Sequence, residues 1–280
     1  MGRIAIVTDS TADLPPELIQ RHGITVVPLT VLFGDQEYRD GVDITSDEFL
    51  ARLRTASALP TTAQPSAGLF EETYRRLAPD HDAILSVHIS GRLSGTLGSA
   101  QIAAEAVTEA IPVHVVDSLN ASLALGFQAL RAAELAGAGV SAPVIAERLR
   151  AEVTANELVF FPETLTYLQR GGRIGKAQAL LGSVLSLKPL LRVDEGQIVP
   201  YERTRTRARA LTGLADFARG IDHPARLGIL HCNDPDDAAA LAAEIQPLTP
   251  DAEVIVSRMG SVILTHLGPG AMGVAVYAER

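Results

Sequence analysis

The sequence contains few of the residues that usually mark secreted, nucleic-acid-binding or membrane proteins. Of its 280 residues only one is a cysteine, Cys232, and none is a tryptophan. An internal disulfide is therefore excluded, and a reducing compartment such as the cytoplasm is expected. The 24 basic residues are outnumbered by 33 acidic ones, which gives a formal net charge of −9. The chain thus has no overall positive field to attract nucleic acid or an anionic membrane surface.

Long apolar runs are also lacking. The stretch LALGFQALRAAELAGAGV is interrupted by Gln128, Arg131 and Glu134, and the run LLGSVLSL ends at Lys188. Neither reaches the roughly 20 residues that a membrane-spanning helix needs. The N-terminal MGRIAIVTDS meets Asp9 after a short apolar run, which predicts a first strand rather than a signal peptide. We expect a soluble, cytoplasmic protein without integral membrane association.

Apolar residues are abundant, at 47% of the chain, and they occur in two patterns. Up to residue 162, short runs such as RIAIVT, ITVVPLTVLF, AILSVHI, VHVVDS and ELVFF alternate with helical patterns, which predicts a mostly parallel sheet. Beyond it, strands pair through turns, as in LLRVDEGQIVP, and a basic helix is predicted from Thr204 to about Arg219. We therefore predict an α/β protein with an N-terminal α/β domain at 1–162, a C-terminal α+β domain at 163–280, and a ligand between them.

The stretch SGRLSGTLGSAQ, residues 90–101, places many hydroxyls and glycines between a predicted strand and a predicted helix. A nucleophile, a phosphate site and a carboxylate site are all candidate explanations. A nucleophile elbow requires G-x-S-x-G, but Gly91 lies one place too far from Ser94. His88 and His266 could serve as bases only by spatial approach. An acyl hydrolase that uses Ser94 is therefore a weaker alternative.

A second glycine-rich stretch, GGRIGKA at residues 171–177, differs from a phosphate-binding loop in two respects. Only three residues separate Gly171 from Gly175, and Ala177 replaces the hydroxyl residue that would bind Mg²⁺. No G-x-G-x-x-G follows the first strand either, so neither a nucleotide nor a dinucleotide is expected. The acidic run DPDD, residues 234–237, lacks the rest of a calcium loop, and no metal is expected.

A carboxylate remains as the candidate ligand. Hydroxyls and free N–H groups at the start of a helix are short, neutral donors, and glycine lets a ligand approach the backbone. Ser94, Gly95 and Thr96 offer this combination, and a second cluster, PTTAQPS at 60–66, also precedes a predicted helix. The two clusters can converge if they lie at one edge of the sheet. Taken alone, the second cluster is explained by Ser66 as an ordinary N-cap.

Eight motifs, taken in order, resemble the DegV family of bacterial lipid-binding proteins: DSTADLP, YRDGVDIT, PTTAQPS, SGRLSGTLGSA, VVDSLNAS, LTYLQRGGRIGKAQALLGSVLSLKPLL, RTRTRARAL and HLGPGA. The resemblance covers essentially the whole chain. It implies a two-domain protein that buries one long-chain fatty acid, such as palmitate, between its domains and that needs no cofactor. It also implies a non-catalytic carrier that presents the fatty acid carboxylate to a separate ATP-dependent fatty acid kinase subunit.

The resemblance also implies roles for individual residues. Carried over by position, the residues that bind the carboxylate are Thr62, Ser94 and His266. The supporting loop residues are Gly95, Thr96 and Arg170. Two positions depart from the family pattern, because Ala63 replaces a common serine and Leu267 replaces a common threonine. These departures affect outer hydrogen bonds rather than the two main hydroxyl donors.

Basic residues are concentrated in two places on this acidic chain. The candidates for docking of the kinase partner are Arg173, Lys176, Arg203, Arg205 and Arg207. On a helix, i,i+4 spacing would place Arg203 with Arg207 on one stripe. A solvated helix face explains such a stripe as well as a docking surface does.

Two other functions stay open at this point. One is a serine-dependent acyl hydrolase that uses Ser94 with His266. The other is a lipid store or sensor that has no kinase partner.

Overall fold

The computed structural model describes residues 2–181 and 187–278. In this part of the chain the strands are β1 (Ile4–Asp9), β2 (Ile24–Val27), β3 (Thr30–Phe33), β4 (Gln36–Arg39), β5 (Thr61–Ala63), β6 (Ala83–His88), β7 (Val113–Asp117), β8 (Asn156–Phe161), β9 (Leu190–Asp194), β10 (Gln197–Glu202), β11 (Arg226–His231), β12 (Glu253–Arg258) and β13 (Met272–Tyr277). The α-helices are α1 (Pro16–His22), α2 (Ser46–Thr55), α3 (Ala67–Leu77), α4 (Thr96–Ala106), α5 (Ser122–Gly137), α6 (Ala142–Ala151), α7 (Thr166–Arg170), α8 (Arg207–Arg219), α9 (Pro235–Ile245) and α10 (Ser261–Leu267).

The N-terminal lobe is built on a parallel sheet with the strand order β2-β1-β6-β7. Strands β1 and β6 are buried along almost their whole length, as expected when helices cover both faces of a parallel sheet. Successive residues of a strand point to opposite faces. Accordingly, Ala5 and Val7 pack with α3 and α4, whereas Ile6 belongs to the core that contains α5 and α6.

A small antiparallel sheet, in the order β4-β3-β5, completes the N-terminal lobe. The predicted strand ITVVPLTVLF is wrong as a single element, because it is divided into β2 and β3, which belong to different sheets. The division falls at Pro28, which has no N–H to donate to a strand ladder. Strand β5 pairs with β3, with Thr62 opposite Val31. This pairing carries Thr62 to the side of the lobe that faces the C-terminal half.

The C-terminal lobe is built on a mixed six-stranded sheet with the order β10-β9-β8-β13-β11-β12. Only β11 and β12 run parallel, and the other pairs are antiparallel. The predicted hairpin is confirmed, with Glu195 and Gly196 both at positive φ, as a two-residue type I′ turn requires. The turn contacts the other lobe, because the Ser90 hydroxyl donates to the Gly196 carbonyl at 2.9 Å. The predicted α/β fold, with a parallel N-terminal sheet and a mixed C-terminal one, is confirmed.

The predicted strand ELVFF was wrongly grouped with the parallel strands. It is part of β8, which pairs antiparallel with β13 and β9 in the C-terminal sheet. A boundary drawn between the sheets would therefore fall before Asn156 rather than after Pro162, and the domain division itself stays a prediction. The run LLGSVLSL extends over residues 182–186, which lie outside the described residues. Among residues 2–181 and 187–278, no helix has the length and the hydropathy needed to cross a bilayer.

The predicted basic helix begins three residues later than its sequence suggests. Helix α8 starts at Arg207, and the Thr206 hydroxyl caps it by accepting from the Arg209 N–H. Arg203 therefore precedes the helix, and the predicted i,i+4 stripe is wrong.

Arg207 is also not a free surface charge. Its guanidinium pairs with carboxylates of Glu163, Asp234 and Asp237 and donates to the Gly270 carbonyl at 2.7 Å. These contacts tie the start of α8 to the loop that follows α10. Arg207 therefore has a structural role in the C-terminal lobe, and its role in docking stays a prediction.

Replacing Arg207 by alanine should destabilise the protein, because the partly buried carboxylates around it would lose their cation. We expect a loss of about 2 kcal/mol in the free energy of unfolding. Arg209→Ala, at an exposed position of the same helix, should change it by less than about 0.5 kcal/mol. Urea denaturation followed by circular dichroism measures both variants. Equal effects of the two substitutions would contradict the structural role of Arg207.

Candidate functional site

An apolar cavity lies between the two lobes. The N-terminal lobe contributes Leu29, Ile89 and Leu93, and the C-terminal lobe contributes mainly aliphatic residues of β8–β11 and α10, with Phe160 as the aromatic member. The cavity also has a polar minority, which consists of Thr62, Ser94, Ser122, Arg173 and His266. Thr62 contacts His266, Arg173 lies near His266, and Arg173 donates to the carbonyl of Leu93, the neighbour of Ser94. We call Thr62, Ser94, Arg173 and His266 the polar end of the cavity. Ser122 is instead hydrogen-bonded to Asp13. The lining therefore suits an apolar ligand that carries one polar group.

The two lobes meet directly where Thr62 contacts His266. The Thr62 Oγ1 and His266 Nε2 atoms are 3.0 Å apart. Thr62 comes from the edge strand β5, whereas His266 lies in the last turn of α10. The two residues are 204 positions apart in the sequence, and the fold brings them together as the resemblance implied. Ala63, the next residue along β5, is exposed and does not line the cavity.

His266 is neutral at physiological pH. Desolvation, together with the nearby positive charge of Arg173, lowers the pKa of the imidazole to about 4. Its Nδ1 atom is buried against Gly171 and has no hydrogen-bond partner among the described residues. If Nε2 carries the hydrogen, His266 donates to Thr62, and the Thr62 hydroxyl hydrogen is free for a ligand. A neutral histidine can thus prepare Thr62 as a donor without adding charge.

Ser94 is held in the loop that leads into α4. Its hydroxyl lies 2.9 Å from Thr96 Oγ1 and accepts from the Thr96 N–H at 3.3 Å. Gly95 allows the Gln64 side chain to pack against the backbone of this loop. A Cβ at this position would lie only 2.1 Å from the side-chain oxygen of Gln64. Gly95 and Thr96, the predicted supporting residues, contact Ser94 and its loop. Of Ser94, Gly95 and Thr96, only Ser94 lines the cavity.

Of the two arginines in the glycine-rich block, it is Arg173 that lines the cavity. Its Nε donates to the Leu93 carbonyl at 3.1 Å and its Nη1 to the Gly171 carbonyl at 2.7 Å. Arg170 is exposed at the end of α7 and does not line the cavity. The supporting role of Arg170 stays a prediction, and Arg173 is the arginine with a place in the cavity wall. Sequence reasoning placed Arg173 on the docking surface, and the contact with Leu93 was not visible from spacing.

The remaining docking candidates are exposed. Lys176 lies in the 3-10 turn Gly175–Leu180, and Arg203 and Arg205 lie between β10 and α8. The glycine pattern around Lys176 serves packing, because a Cβ on Gly175 would lie 2.5 Å from the Ile198 carbonyl oxygen. Its φ of 52° also favours glycine. This packing role accounts for a motif that otherwise suggests a phosphate loop.

A serine–histidine–aspartate chain is buried elsewhere in the N-terminal lobe. Ser86 Oγ lies 2.7 Å from His88 Nε2, and His88 Nδ1 lies 3.0 Å from Asp9 Oδ2. All three residues are fully buried, and Ser86 Oγ is also 2.8 Å from the Tyr74 hydroxyl. No substrate can reach this serine, so the chain stabilises the sheet. The sequence indicates His88 only as a possible base and does not predict this chain. The period-2 spacing of Ser86 and His88 on β6 does place both side chains on one face.

Among the described residues that line the cavity, no nucleophile is paired with a base. The Ser94 hydroxyl is hydrogen-bonded to Thr96, whereas His266 is hydrogen-bonded to Thr62. Among the described residues, no three His, Cys, Asp or Glu side chains are grouped so that they could hold a metal ion. The chemistry available at the polar end is therefore hydrogen bonding by hydroxyls, with one cation nearby. This combination suits a carboxylate.

The chain is similar along its whole length to proteins of one family. A family model described as "Uncharacterised protein, DegV family" matches residues 3–279. A DegV domain-containing protein of Streptomyces coelicolor is 45% identical over 282 residues, which cover 99% of each chain.

Two solved structures have the same fold. A DegV family protein from Thermus thermophilus, described by its fatty acid binding, has a TM-score of 0.90 at 40% identity and covers 99% of this chain and 100% of its own. DegV of Bacillus subtilis, described as a fatty acid binding protein, has a TM-score of 0.91 at 37% identity, with both chains covered completely. The resemblance inferred from the sequence motifs is confirmed, and the chain belongs to the DegV family.

Proposed function

We propose that the protein binds a long-chain fatty acid, such as palmitate, and presents its carboxylate to a separate ATP-dependent fatty acid kinase subunit. The observation that carries the proposal is the cavity itself, whose lining is mostly apolar and includes the polar end formed by Thr62, Ser94, Arg173 and His266. The fatty acid binding of the T. thermophilus and B. subtilis relatives supports the first half of the proposal. The kinase half rests on the resemblance of motifs.

The acyl chain supplies most of the affinity in this proposal. Each buried methylene contributes about 0.8 kcal/mol, so a sixteen-carbon chain contributes on the order of 10 kcal/mol before ordering costs. A hydrogen bond to a charged group contributes roughly 1.5–3 kcal/mol. The polar end therefore determines the direction of the chain, and the apolar residues determine how tightly it binds.

At the polar end, two hydroxyls act as the donors to the carboxylate. Thr62 accepts from His266 and donates its own hydrogen to one carboxylate oxygen, and Ser94 donates to the other. Arg173 adds a positive charge from the exposed side. Because His266 is neutral, it does not form an ion pair that would hold the carboxylate back from a phosphoryl donor.

The protein acts as a carrier in this proposal, and the partner supplies ATP and the catalytic groups. A cytoplasmic location, expected from the cysteine content, would give the complex access to ATP. Neither a cofactor nor nucleic acid takes part. A lipid store or sensor would bind the same ligand but would show no phosphorylation with any kinase subunit.

Protein purified from a bacterial host should contain about one equivalent of a long-chain fatty acid, because an apolar cavity closed between two lobes favours an available acyl chain. Mass spectrometry of lipid extracted under denaturing conditions measures both its amount and its identity. Delipidated protein that neither retains nor takes up palmitate would contradict the proposal.

Ser94→Ala should reduce phosphorylation of the bound fatty acid on the order of 100-fold, because a misoriented carboxylate reacts poorly. The affinity for palmitate should change by less than about tenfold, since burial of the acyl chain is unaffected. Thr62→Val, which removes a hydroxyl and keeps the shape, should act in the same way. Palmitate titration and an assay with the cognate kinase subunit and ATP measure the two effects.

Ser141→Ala is the control for these variants, because Ser141 is exposed at the start of α6 and makes no side-chain capping bond. It should leave both measurements unchanged. Equal losses of affinity and of phosphorylation in Ser94→Ala would contradict the division between chain and carboxylate. Covalent labelling of Ser94 by a fluorophosphonate would favour the acyl hydrolase instead.

The exposed residues Arg203 and Arg205 are the docking candidates best suited to a test by charge reversal. A basic surface that meets an acidic kinase partner acts mainly on the association rate and weakens with salt. Changing both to glutamate should therefore slow association at least tenfold at low ionic strength and leave bound lipid unchanged. Surface plasmon resonance measures the rate.

Arg21 and Arg54 provide the matched control for this pair. Both are exposed on helices of the N-terminal lobe, and changing both to glutamate alters the net charge by the same amount. If the two double variants associate equally fast, Arg203 and Arg205 form a solvated surface and not a docking surface.

A further inference from the structure

Asp13 joins three separate segments of the chain. It follows the 3-10 turn Ser10–Ala12 in a left-handed conformation, with φ at 49°, and its side chain is buried. Its Oδ2 atom accepts from the Ser122 hydroxyl at 2.5 Å, and its Oδ1 atom accepts from the Gly260 N–H at 2.9 Å. Its backbone carbonyl accepts from the Ser257 hydroxyl at 2.6 Å. One residue thus links the first loop of the N-terminal lobe to the starts of both α5 and α10.

Ser122, the partner of Asp13, forms part of the cavity wall. It is 3% exposed, lines the apolar cavity and has a φ of 53°. A left-handed serine is strained and persists only where its surroundings hold it in place. The hydrogen bond to Asp13 is the side-chain contact that fixes it. The carboxyl group therefore determines the shape of the cavity without lining it.

Asp40 holds the start of α10 beside Asp13. Its Oδ1 atom accepts from the Ser261 N–H at 2.9 Å. Gly260 lies between the two carboxyl groups, since a Cβ there would lie 3.0 Å from an oxygen of Asp13 and 3.1 Å from one of Asp40. The N-terminal end of α10 is thus fixed by two acidic side chains of the opposite lobe.

The other end of the same helix carries His266. Helix α10 has seven residues and is about 10 Å long, so it moves as a rigid unit. It is bounded by Gly260 and by Gly268, which has a φ of 76°. Loss of the hydrogen bonds that join Asp13 and Asp40 to the first turn would therefore move His266 relative to Thr62. We therefore expect the distance of 3.0 Å between Thr62 and His266 to depend on contacts made at the far end of the helix.

The charges around Asp13 favour its protonated form. Burial, with smaller contributions from the carboxylates of Asp40 and Asp9, raises the pKa of Asp13 to about 8. Burial also raises the pKa of Asp40. Asp9 is itself paired with His88. Arg258 of β12, which follows Ser257, is held by two hydrogen bonds of 2.8 Å to Asp47.

The two helices that meet Asp13 bring no charge close to it. The first two turns of α5, SLALGFQ, contain no charged residue, and α10 has only His266, at its opposite end. Loss of the Asp13 proton would therefore place a negative charge beside another carboxyl group without a compensating cation. This repulsion would act at the joint between Ser122 and α10.

We infer that Asp13 is a positioning residue of the proposed fatty acid site, which holds α10 so that His266 meets Thr62 and which holds Ser122 in the cavity wall. The inference rests on the proposed function. It adds a residue outside the cavity on which both the polar end and the apolar wall depend.

Three variants test the inference. Asp13→Asn keeps the shape and can accept from Gly260 and donate to Ser122, but it cannot ionise. Asp13→Ala removes both contacts. Ser122→Gly removes the hydroxyl and relieves the left-handed strain, so that it tests the cavity wall in a protein that folds even if Asp13→Ala does not. Each is compared with the unmodified protein by palmitate titration from pH 7 to 9.5 and by the imidazole NMR signals of His266 in ligand-free protein, assigned with His266→Gln.

We expect the affinity of the unmodified protein to fall at least threefold as the pH rises through 8, because Asp13 then loses its proton. Asp13→Asn should bind within twofold of the unmodified protein at pH 7 and should not show this fall, which also controls for titration of the ligand. Asp13→Ala should bind at least tenfold more weakly and shift the His266 signals. Ser122→Gly should weaken binding at least threefold with the His266 signals unchanged.

Unmodified His266 signals together with normal affinity in Asp13→Ala would overturn the inference, as would identical pH profiles for Asp13→Asn and the unmodified protein. The NMR measurement needs no ligand. If the unmodified protein binds no fatty acid, the proposed function fails, and the His266 signals of Asp13→Ala alone decide whether Asp13 positions α10: a shift supports the inference and its absence overturns it.

Discussion

Contact between α10 and the opposite lobe is the constraint on which the site depends. The helix connects two strands of the C-terminal sheet, yet Thr62, Asp13 and Asp40 of the N-terminal lobe hold its two ends. Its apolar side chains line the cavity between these ends. The polar end of the cavity, part of its wall and one of the contacts between the lobes therefore depend on one seven-residue helix. A substitution that moves this helix would affect all three.

The sequence was sufficient for features that depend on local pattern. Alternating buried runs predicted the parallel sheet, DEG predicted the hairpin turn, and ordered motifs predicted the family. It was not sufficient where a single residue determines where a strand or a helix begins or ends. Pro28 divides one apolar run between two sheets, and Thr206 starts α8 after Arg203, so that the expected stripe does not form. Strand β8 looks like its predecessors because a buried strand has the same composition in either sheet.

Partners distant in sequence decided the remaining assignments. Arg170 and Arg173 are arginines of the same sequence block, and their spacing does not show which one reaches the cavity. The hydrogen bond from Arg173 to the Leu93 carbonyl identifies Arg173. Hydrogen-bond geometry alone would similarly suggest catalysis for Ser86, His88 and Asp9, whereas their complete burial excludes a substrate. Burial and connectivity, which depend on the finished fold, therefore separate polar residues of the site from polar residues of the core.

The hairpin turn of the C-terminal sheet touches the loop that also carries Ser94. The Ser90 hydroxyl donates to the Gly196 carbonyl, and a Cβ on Gly196 would lie only 2.4 Å from that hydroxyl oxygen. The two lobes are thus in contact at this turn as well as at α10. A rotation of one lobe about either contact would break the other contact. Hinge bending of whole lobes is therefore a costly way to open the cavity. We expect a bound molecule to exchange through local unfolding or small shear movements of short segments, without a change in the position of either sheet.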